Sequence, residues 1–211
     1  MVVKRRYESE RRQEQARQTR RAILDAAGRL FAEAGYAATP LTAIAAEAGV
    51  AVQTVYAVFG SKRRLLSDLV DVTTAGDDEP VALPDRAFVA EIRALADPRA
   101  KLVRYARQIT EVHERNAAVM VALAGAATAD ADAAAIWRKS VEERRRGMGM
   151  FAAELVATGG VRPEHDADSV ADVLWLAMDA RNYDWLVRTR GWSAERFQRW
   201  YVDTVSAAVL A

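Results

Sequence analysis

The sequence predicts an all-α protein, an N-terminal three-helix helix-turn-helix domain followed by a second helical domain. Three observations carry that prediction. Apolar residues recur with the helical period along most of the chain. Breakers are sparse, with 5 Pro and 11 Gly in 211 residues, and they fall mainly between the periodic stretches. Residues 39–65, TPLTAIAAEAGVAVQTVYAVFGSKRRL, set two short apolar-faced segments around Gly49 and begin a third at Ser61.

In that stretch Thr39 is a candidate N-cap with Pro40 at the first helical position, where its missing N–H is no loss. Leu41, Ile44, Ala45 and Ala48 then fall on one stripe of a two-turn helix. Gly49 can take the left-handed conformation that ends such a helix, and a second short helix is expected over 52–59. Helix, glycine turn and helix form the unit whose second helix enters the DNA major groove. The run resembles the DNA-binding domain of TetR-type transcriptional regulators over about residues 17–70. The marks are LFAEAGY before the unit, Ile44-Ala45 and Ala48-Gly49-Val50 within it, and the run from Thr54 to Lys62 after it.

The expected organisation is a basic arm over residues 1–16, a DNA-binding domain over 17–73 with its turn at 49–51, and a helical regulatory and dimerisation domain over 85–211. Charge follows this division. The first 65 residues carry 12 Lys and Arg against 6 Asp and Glu, a balance of +6, whereas the remainder balances at −5. A basic module joined to an acidic one points to a polyanion partner for the first alone. There is no Cys, hence no disulfide, thiolate nucleophile or cysteine metal site. The N-terminus is polar and basic, and no run reaches the length of a membrane-spanning helix, so a cytoplasmic protein without membrane contact is expected.

The arm interleaves Lys4, Arg5, Arg6, Arg11, Arg12 and Arg17 with Glu8, Glu10 and Glu14. It reads either as a phosphate-tracking or minor-groove arm or as a solvated extension of the first helix. A helix over 19–34 buries Ile23, Leu24, Ala27, Leu30 and Phe31. Arg20 and Arg21 in its first turn oppose the helix dipole and suit a phosphate. Within the reading helix, the resemblance assigns Val52, Gln53, Thr54, Tyr56 and Ala57 to the DNA side. Gln53 can pair with adenine N6 and N7, Thr54 with a phosphate or thymine methyl, and Tyr56 with a phosphate. Val55, Val58 and Phe59 are read as core. The resemblance also implies that Lys62, at the start of a helix capped by Ser61, grips a phosphate, and Thr39 and Thr42 are added as phosphate candidates. Ala51 and Ala57 stand where the family often has polar residues.

Residues 74–84 read as a linker. Beyond it the pattern predicts helices over 85–96, from Pro98 to about 112, over 116–127, and from a cap at Asp130 to about 157, where Gly147 and Gly149 suggest close approach or a bend. A helix over 170–187 follows. The last opens with Trp192, Ser193 and Phe197 as staple and cap.

No catalytic constellation stands out. His113 and His165 lie far apart, His165 in a loop where solvation is expected, and no nucleophile elbow, phosphate loop or metal spacing occurs. No cofactor or metal is expected. The family resemblance implies a small-molecule cavity in the helical domain, with Tyr105, Ile109, His113, Met120, Trp137, Met148, Phe151, Trp175 and Met178 as candidates, although such residues at helical spacing are more often plain core. It also implies a homodimer through the last two helices, with Val173, Arg181, Trp200, Tyr201 and Val205 as interface candidates; Arg181 reads either as pairing across the interface with Asp179 or Asp184 or as solvated. The expected function is a ligand-responsive repressor on a palindromic double-stranded DNA operator, released by a small-molecule effector. A DNA-binding activator, or a helical binder or enzyme with a vestigial domain, are the alternatives.

Overall fold

The computed structural model describes residues 2–77 and 85–211, with side chains from Arg11 onward. Lys4, Arg5, Arg6, Glu8 and Glu10 of the arm, and the part of the expected linker from 78 to 84, lie outside the described side chains and residues. The elements are α1 (Val2–Ala34), α2 (Leu41–Glu47), α3 (Val52–Phe59), α4 (Lys62–Ala75), α5 (Ala87–Ala94), α6 (Pro98–Ala126), α7 (Ala131–Val156), α8 (Ala167–Ala177), α9 (Ala180–Tyr183), continued by π-helical turns over Asp184–Thr189, and α10 (Ala194–Val209). No strand occurs among the described residues, and the one bridge joins Val161 to Leu210.

Several caps follow directly from sequence. The Ser61 hydroxyl accepts from Arg64 N–H at 3.1 Å, Asp130 from Ala133 at 2.8 Å, and Ser193 from Arg196 at 3.2 Å. Each satisfies an N–H that the first turn of a helix cannot pair internally. Gly49, with φ of +67°, makes the turn between α2 and α3 in a conformation other residues adopt at a cost.

Other expectations change. The first helix starts at Val2 and not near Thr19, so Arg20 and Arg21 sit in mid-helix and the dipole argument for them lapses. Pro40 is the N-cap of α2, and Thr39, 2% exposed, turns its hydroxyl onto the carbonyls of Gly35 (2.8 Å) and Leu30 (3.3 Å). The two segments expected over 98–112 and 116–127 are one helix, because no residue between them breaks the ladder. Gly147 and Gly149 leave α7 unbroken, and a Cβ built on either meets nothing within 4 Å, so no close approach within the chain explains them. The helix expected over 170–187 starts earlier, at an Asp166 cap, and is interrupted at Met178 and Asp179.

The chain forms two compact units. The first comprises the residues up to Asp71 together with Ala122–Ala134, the end of α6, the start of α7 and the turn between them. Its core holds Ile23, Leu24, Phe31, Ile44, Val55, Phe59, Leu65 and Leu66, each at most 4% exposed. The second comprises Val72–Val121 and Ala135–Ala211. Its main core joins Leu102, Tyr105, Ile109, Met148, Phe151, Leu155, Leu174, Met178, Tyr201 and Val205, drawn from α6, α7, α8 and α10. Within it Lys101, 4% exposed, donates from Nζ to the carbonyls of Ile92 (2.7 Å) and Arg93 (3.2 Å), closing the C-terminal end of α5.

Candidate DNA interface and polar ligand core

α3 divides cleanly between inside and outside. Val55 (1% exposed) and Phe59 (4%) face the core, while Gln53, Tyr56 and Ala57 are exposed and Val52 and Thr54 are half-buried. Val58 is exposed, contrary to its assignment as core. It lies about 60° around the helix from Val55, on a flank that the eight-residue helix leaves open. The face therefore carries one amide, one phenol and one partly exposed hydroxyl on an apolar ground. Ala51 caps nothing, so α3 starts without a side-chain cap.

The phosphate candidates divide similarly. Thr42 and Arg21 are exposed. Thr39 is buried and committed to carbonyls, and offers no group to DNA in this conformation. Arg20 pairs with Asp68 at 3.0 Å and stacks over the Phe59 ring at 4.9 Å, tying α1 to α3 and α4. The Lys62 ammonium donates to the Tyr36 carbonyl and lies 4.2 Å from the centre of the Tyr36 ring. Burial lowers its pKa, with Asp130 acting in the opposite direction. Lys62 thus ties α4 to the loop after α1. This role is local, and it competes with the phosphate grip implied by the family resemblance.

The ligand candidates come together in the second unit, but as a packed core. Tyr105 and Phe151 stack with ring centres 4.8 Å apart, and Tyr201 lies 5.8 Å from Tyr105. Ile109, Met148 and Met178 share this cluster and Trp175 packs against it. Met120 instead packs on a smaller cluster of Ala117, Ala180, Tyr183 and Phe197, and Trp137 is half-buried on α7. His113 is 4% exposed and donates from Nε2 to the Met178 carbonyl at 2.9 Å, leaving Nδ1 beside the Asn116 amide at 3.5 Å. Burial is the main cause that lowers its pKa to about 4, against the opposing hydrogen bonds to Met178 and Asn116. The ring is neutral at physiological pH. His165, expected in solvent, lies 2.9 Å from the Ala208 carbonyl and is half-buried.

At the interruption between α8 and α9, Asp179 gathers the charges. Its carboxylate accepts from Arg181 N–H (2.9 Å), from the Arg181 guanidinium (2.9 and 3.1 Å) and from Arg144 (3.1 Å). Burial raises its pKa, but the hydrogen bonds from Arg181 and the charges of Arg144 and Arg181 outweigh it, so the net shift is downward. Arg144 also stacks over Trp175 at 4.7 Å. Arg181 thus pairs within its own chain.

Of the other interface candidates, Tyr201 and Val205 are fully buried in their own core, which removes them from any surface. Val173 and Trp200 are half-buried against the same core. The large apolar groups that do face outward on these elements are Leu176 (62% exposed) and Trp185 (60%).

Reading the sequence did not single out Arg144 or Asn116. Arg144 stands in the run EERRRG, where nothing separates it from its solvated neighbours. Around Met178 the polar atoms are poorly served. The Tyr105 hydroxyl reaches only thioether sulfurs, Met178 at 3.1 Å and Met148 at 3.7 Å. Tyr201 Oη, Trp175 Nε1 and Arg144 Nε are buried with no hydrogen-bond partner among the described residues. Leaving such a group unpaired costs roughly 1–3 kcal/mol.

Residues 23–69 match the model of the bacterial regulatory proteins of the tetR family. No curated protein matches the chain in sequence. Solved structures match in fold. A protein described as a transcriptional regulator from Saccharomonospora viridis, in complex with choline, aligns at a TM-score of 0.66 and 23% identity, over 91% of this chain and 97% of that one. A tetR-family transcriptional regulator from Rhodococcus sp. aligns at 0.68 and 18% identity, over 92% and 99%. The ketosteroid transcriptional regulator of Mycobacterium tuberculosis aligns at 0.61 and 20% identity, over 91% and 95%. The N-terminal segment of this chain is thus a tetR-family helix-turn-helix, and the chain as a whole has the fold of the transcriptional regulators that carry it.

Proposed function

We propose that the protein is a cytoplasmic, ligand-responsive repressor that binds a palindromic double-stranded DNA operator as a homodimer and is not an enzyme. The observation that carries this reading is the exposed face of α3, with Gln53 and Tyr56 in solvent on a helix anchored by Val55 and Phe59. Two copies related by a two-fold axis would place their α3 helices in successive major grooves, half-sites about 34 Å apart. Leu176 and Trp185, exposed on the elements before α10, support dimerisation through the last elements of the chain. No single helix among the described residues is long and apolar enough to cross a membrane. That one similar structure is a complex with choline and another is a ketosteroid transcriptional regulator favours a small-molecule effector. In this mechanism effector binding shifts the population toward a dimer whose two α3 helices no longer match the operator.

The test is a mobility-shift titration of the full chain on DNA upstream of its own gene, at several salt concentrations. Specific retention that weakens steeply with salt is expected. Gln53→Ala should relax sequence preference, with a loss of about 1–3 kcal/mol confined to the cognate site. Arg21→Ala should weaken every sequence alike and reduce the salt slope by about 1. Lys62→Ala, by contrast, should lower thermal stability through its lost bond to Tyr36. Retention of no sequence at low salt by folded protein would sink the repressor reading.

A further inference from the structure

The packed core around Met178 holds more hydrogen-bond donors than its acceptors can serve, and this is the feature that a plain core would lack. Tyr105, Tyr201, Trp175 and Arg144 come from four different helices, α6, α10, α8 and α7, and meet in or against one cluster. The Tyr201 hydroxyl, the Trp175 indole N–H and the Arg144 Nε–H have no partner, and the Tyr105 hydroxyl has only the weak acceptor of a thioether sulfur. Phe at position 201 would fill the same space without the burden of an unpaired hydroxyl. The indole and guanidinium N–H only donate, so an ammonium ligand would leave both unserved and add its charge to that of Arg144. An oxygen acceptor would serve several at once.

The charges narrow the acceptor. Arg144 and Arg181 share the single carboxylate of Asp179, which leaves one positive charge in excess, and His113 beside it is neutral. The walls are apolar: Phe151, Ile109 and the thioethers of Met148 and Met178, side chains flexible enough to move aside. We infer that this core opens to bind an apolar carboxylate, its carboxylate taking hydrogen bonds from the Arg144 and Trp175 N–H groups and from the tyrosine hydroxyls.

The inference rests on the effector reading above and adds the class of effector and the residues that select it. It also supplies a route outward. A carboxylate on Arg144 competes with Asp179, which caps α9 and accepts both Arg181 groups at the interruption of the helix. Loosening that knot alters α9 and the π-helical turns after it, where Trp185 is exposed. A pre-existing alternative arrangement would be selected by the ligand's preference for it.

The experiment uses the full chain without DNA, and hexanoate, octanoate, decanoate and 3-phenylpropanoate, each with its matched alcohol and primary amine, as probes. Thermal shift and tryptophan fluorescence are read together. At least one carboxylate should raise Tm by several degrees, its alcohol less and its amine not at all. For that carboxylate, Tyr201→Phe, Trp175→Phe and Arg144→Lys should each weaken affinity on the order of tenfold or more. Tyr201→Phe should itself fold with unchanged or higher Tm, because it removes an unpaired buried hydroxyl, so loss of binding in this variant is not loss of fold. Failure of every carboxylate to shift Tm, a larger shift with an amine, or unchanged affinity in Tyr201→Phe would overturn the inference. DNA retention of the ligand-free protein, measured separately, tells its failure apart from failure of the repressor reading.

Discussion

Asp179→Ala is expected to lose about 3–5 kcal/mol of folding free energy, the largest effect of any single polar substitution in the second unit. The Asp179 side chain is 9% exposed and the Arg144 side chain facing it 13%. Removing the acid leaves a guanidinium charge with little solvent and no counter-ion, and it strips the N-cap from α9 at the same time. For a chain of this size each kcal/mol corresponds to roughly 2–4 °C in Tm, so a fall on the order of 10 °C is expected. Urea denaturation followed by circular dichroism measures it directly. The double variant Asp179→Ala, Arg144→Met should recover much of the loss, because the cost lies in the stranded charge and not in the missing attraction. A loss below about 1 kcal/mol in the single variant would show that Arg144 escapes to solvent.

His113 predicts an acid-labile fold. Its folded pKa is about 4 and its ordinary value 6.5, a consequence chiefly of burial. Between those values the unfolded chain holds a proton that the folded chain excludes. Stability attributable to this residue is therefore complete above about pH 6.5 and is lost progressively as pH falls toward 4. The full difference amounts to about 3 kcal/mol. His113→Gln keeps a donor for the Met178 carbonyl and has no titration in this range. Its stability should fall less steeply between pH 6.5 and 4, so that a deficit at pH 7.5 shrinks or reverses at pH 4.5. Parallel pH profiles for the two proteins would refute the assignment.

The two groups sit side by side, His113 on the carbonyl of Met178 and Asp179 the next residue along. The interruption between α8 and α9 is thus held by a neutral ring on one side and a charged pair on the other. Both are sensitive to a competing charge, which is why a carboxylate ligand bound to Arg144 would be felt there.

Where local chemistry dictates structure, the sequence is legible. The caps at Ser61, Asp130 and Ser193, the turn at Gly49 and the inward stripe of α3 through Val55 and Phe59 all follow from residues within one or two turns of each other. The helix-turn-helix and the all-helical class rest on such short-range rules, and the match over residues 23–69 rests on the same segment. Val58 escaped because periodicity marks a stripe but not how wide a neighbour covers it. Thr39 escaped because a hydroxyl beside a helix start can cap it or turn back onto the preceding carbonyls, and only the fold of α1 decides between them.

The second unit obeys longer rules. The break at Met178 and Asp179 has no Pro or Gly to announce it, and it depends on Arg144, 35 residues earlier, and His113, 65 residues earlier. Tyr201 looked like an interface residue and proved to be core, since a large aromatic on an amphipathic helix is equally apt for either surface until the packing is known. By itself the sequence determined that this chain is helical and that it opens with a helix-turn-helix unit, because turns, caps and helical stripes are set by neighbours along the chain. Only the tertiary structure decided which tyrosines, tryptophan and arginine share one buried place, because partners so distant in sequence leave no periodic trace of their meeting.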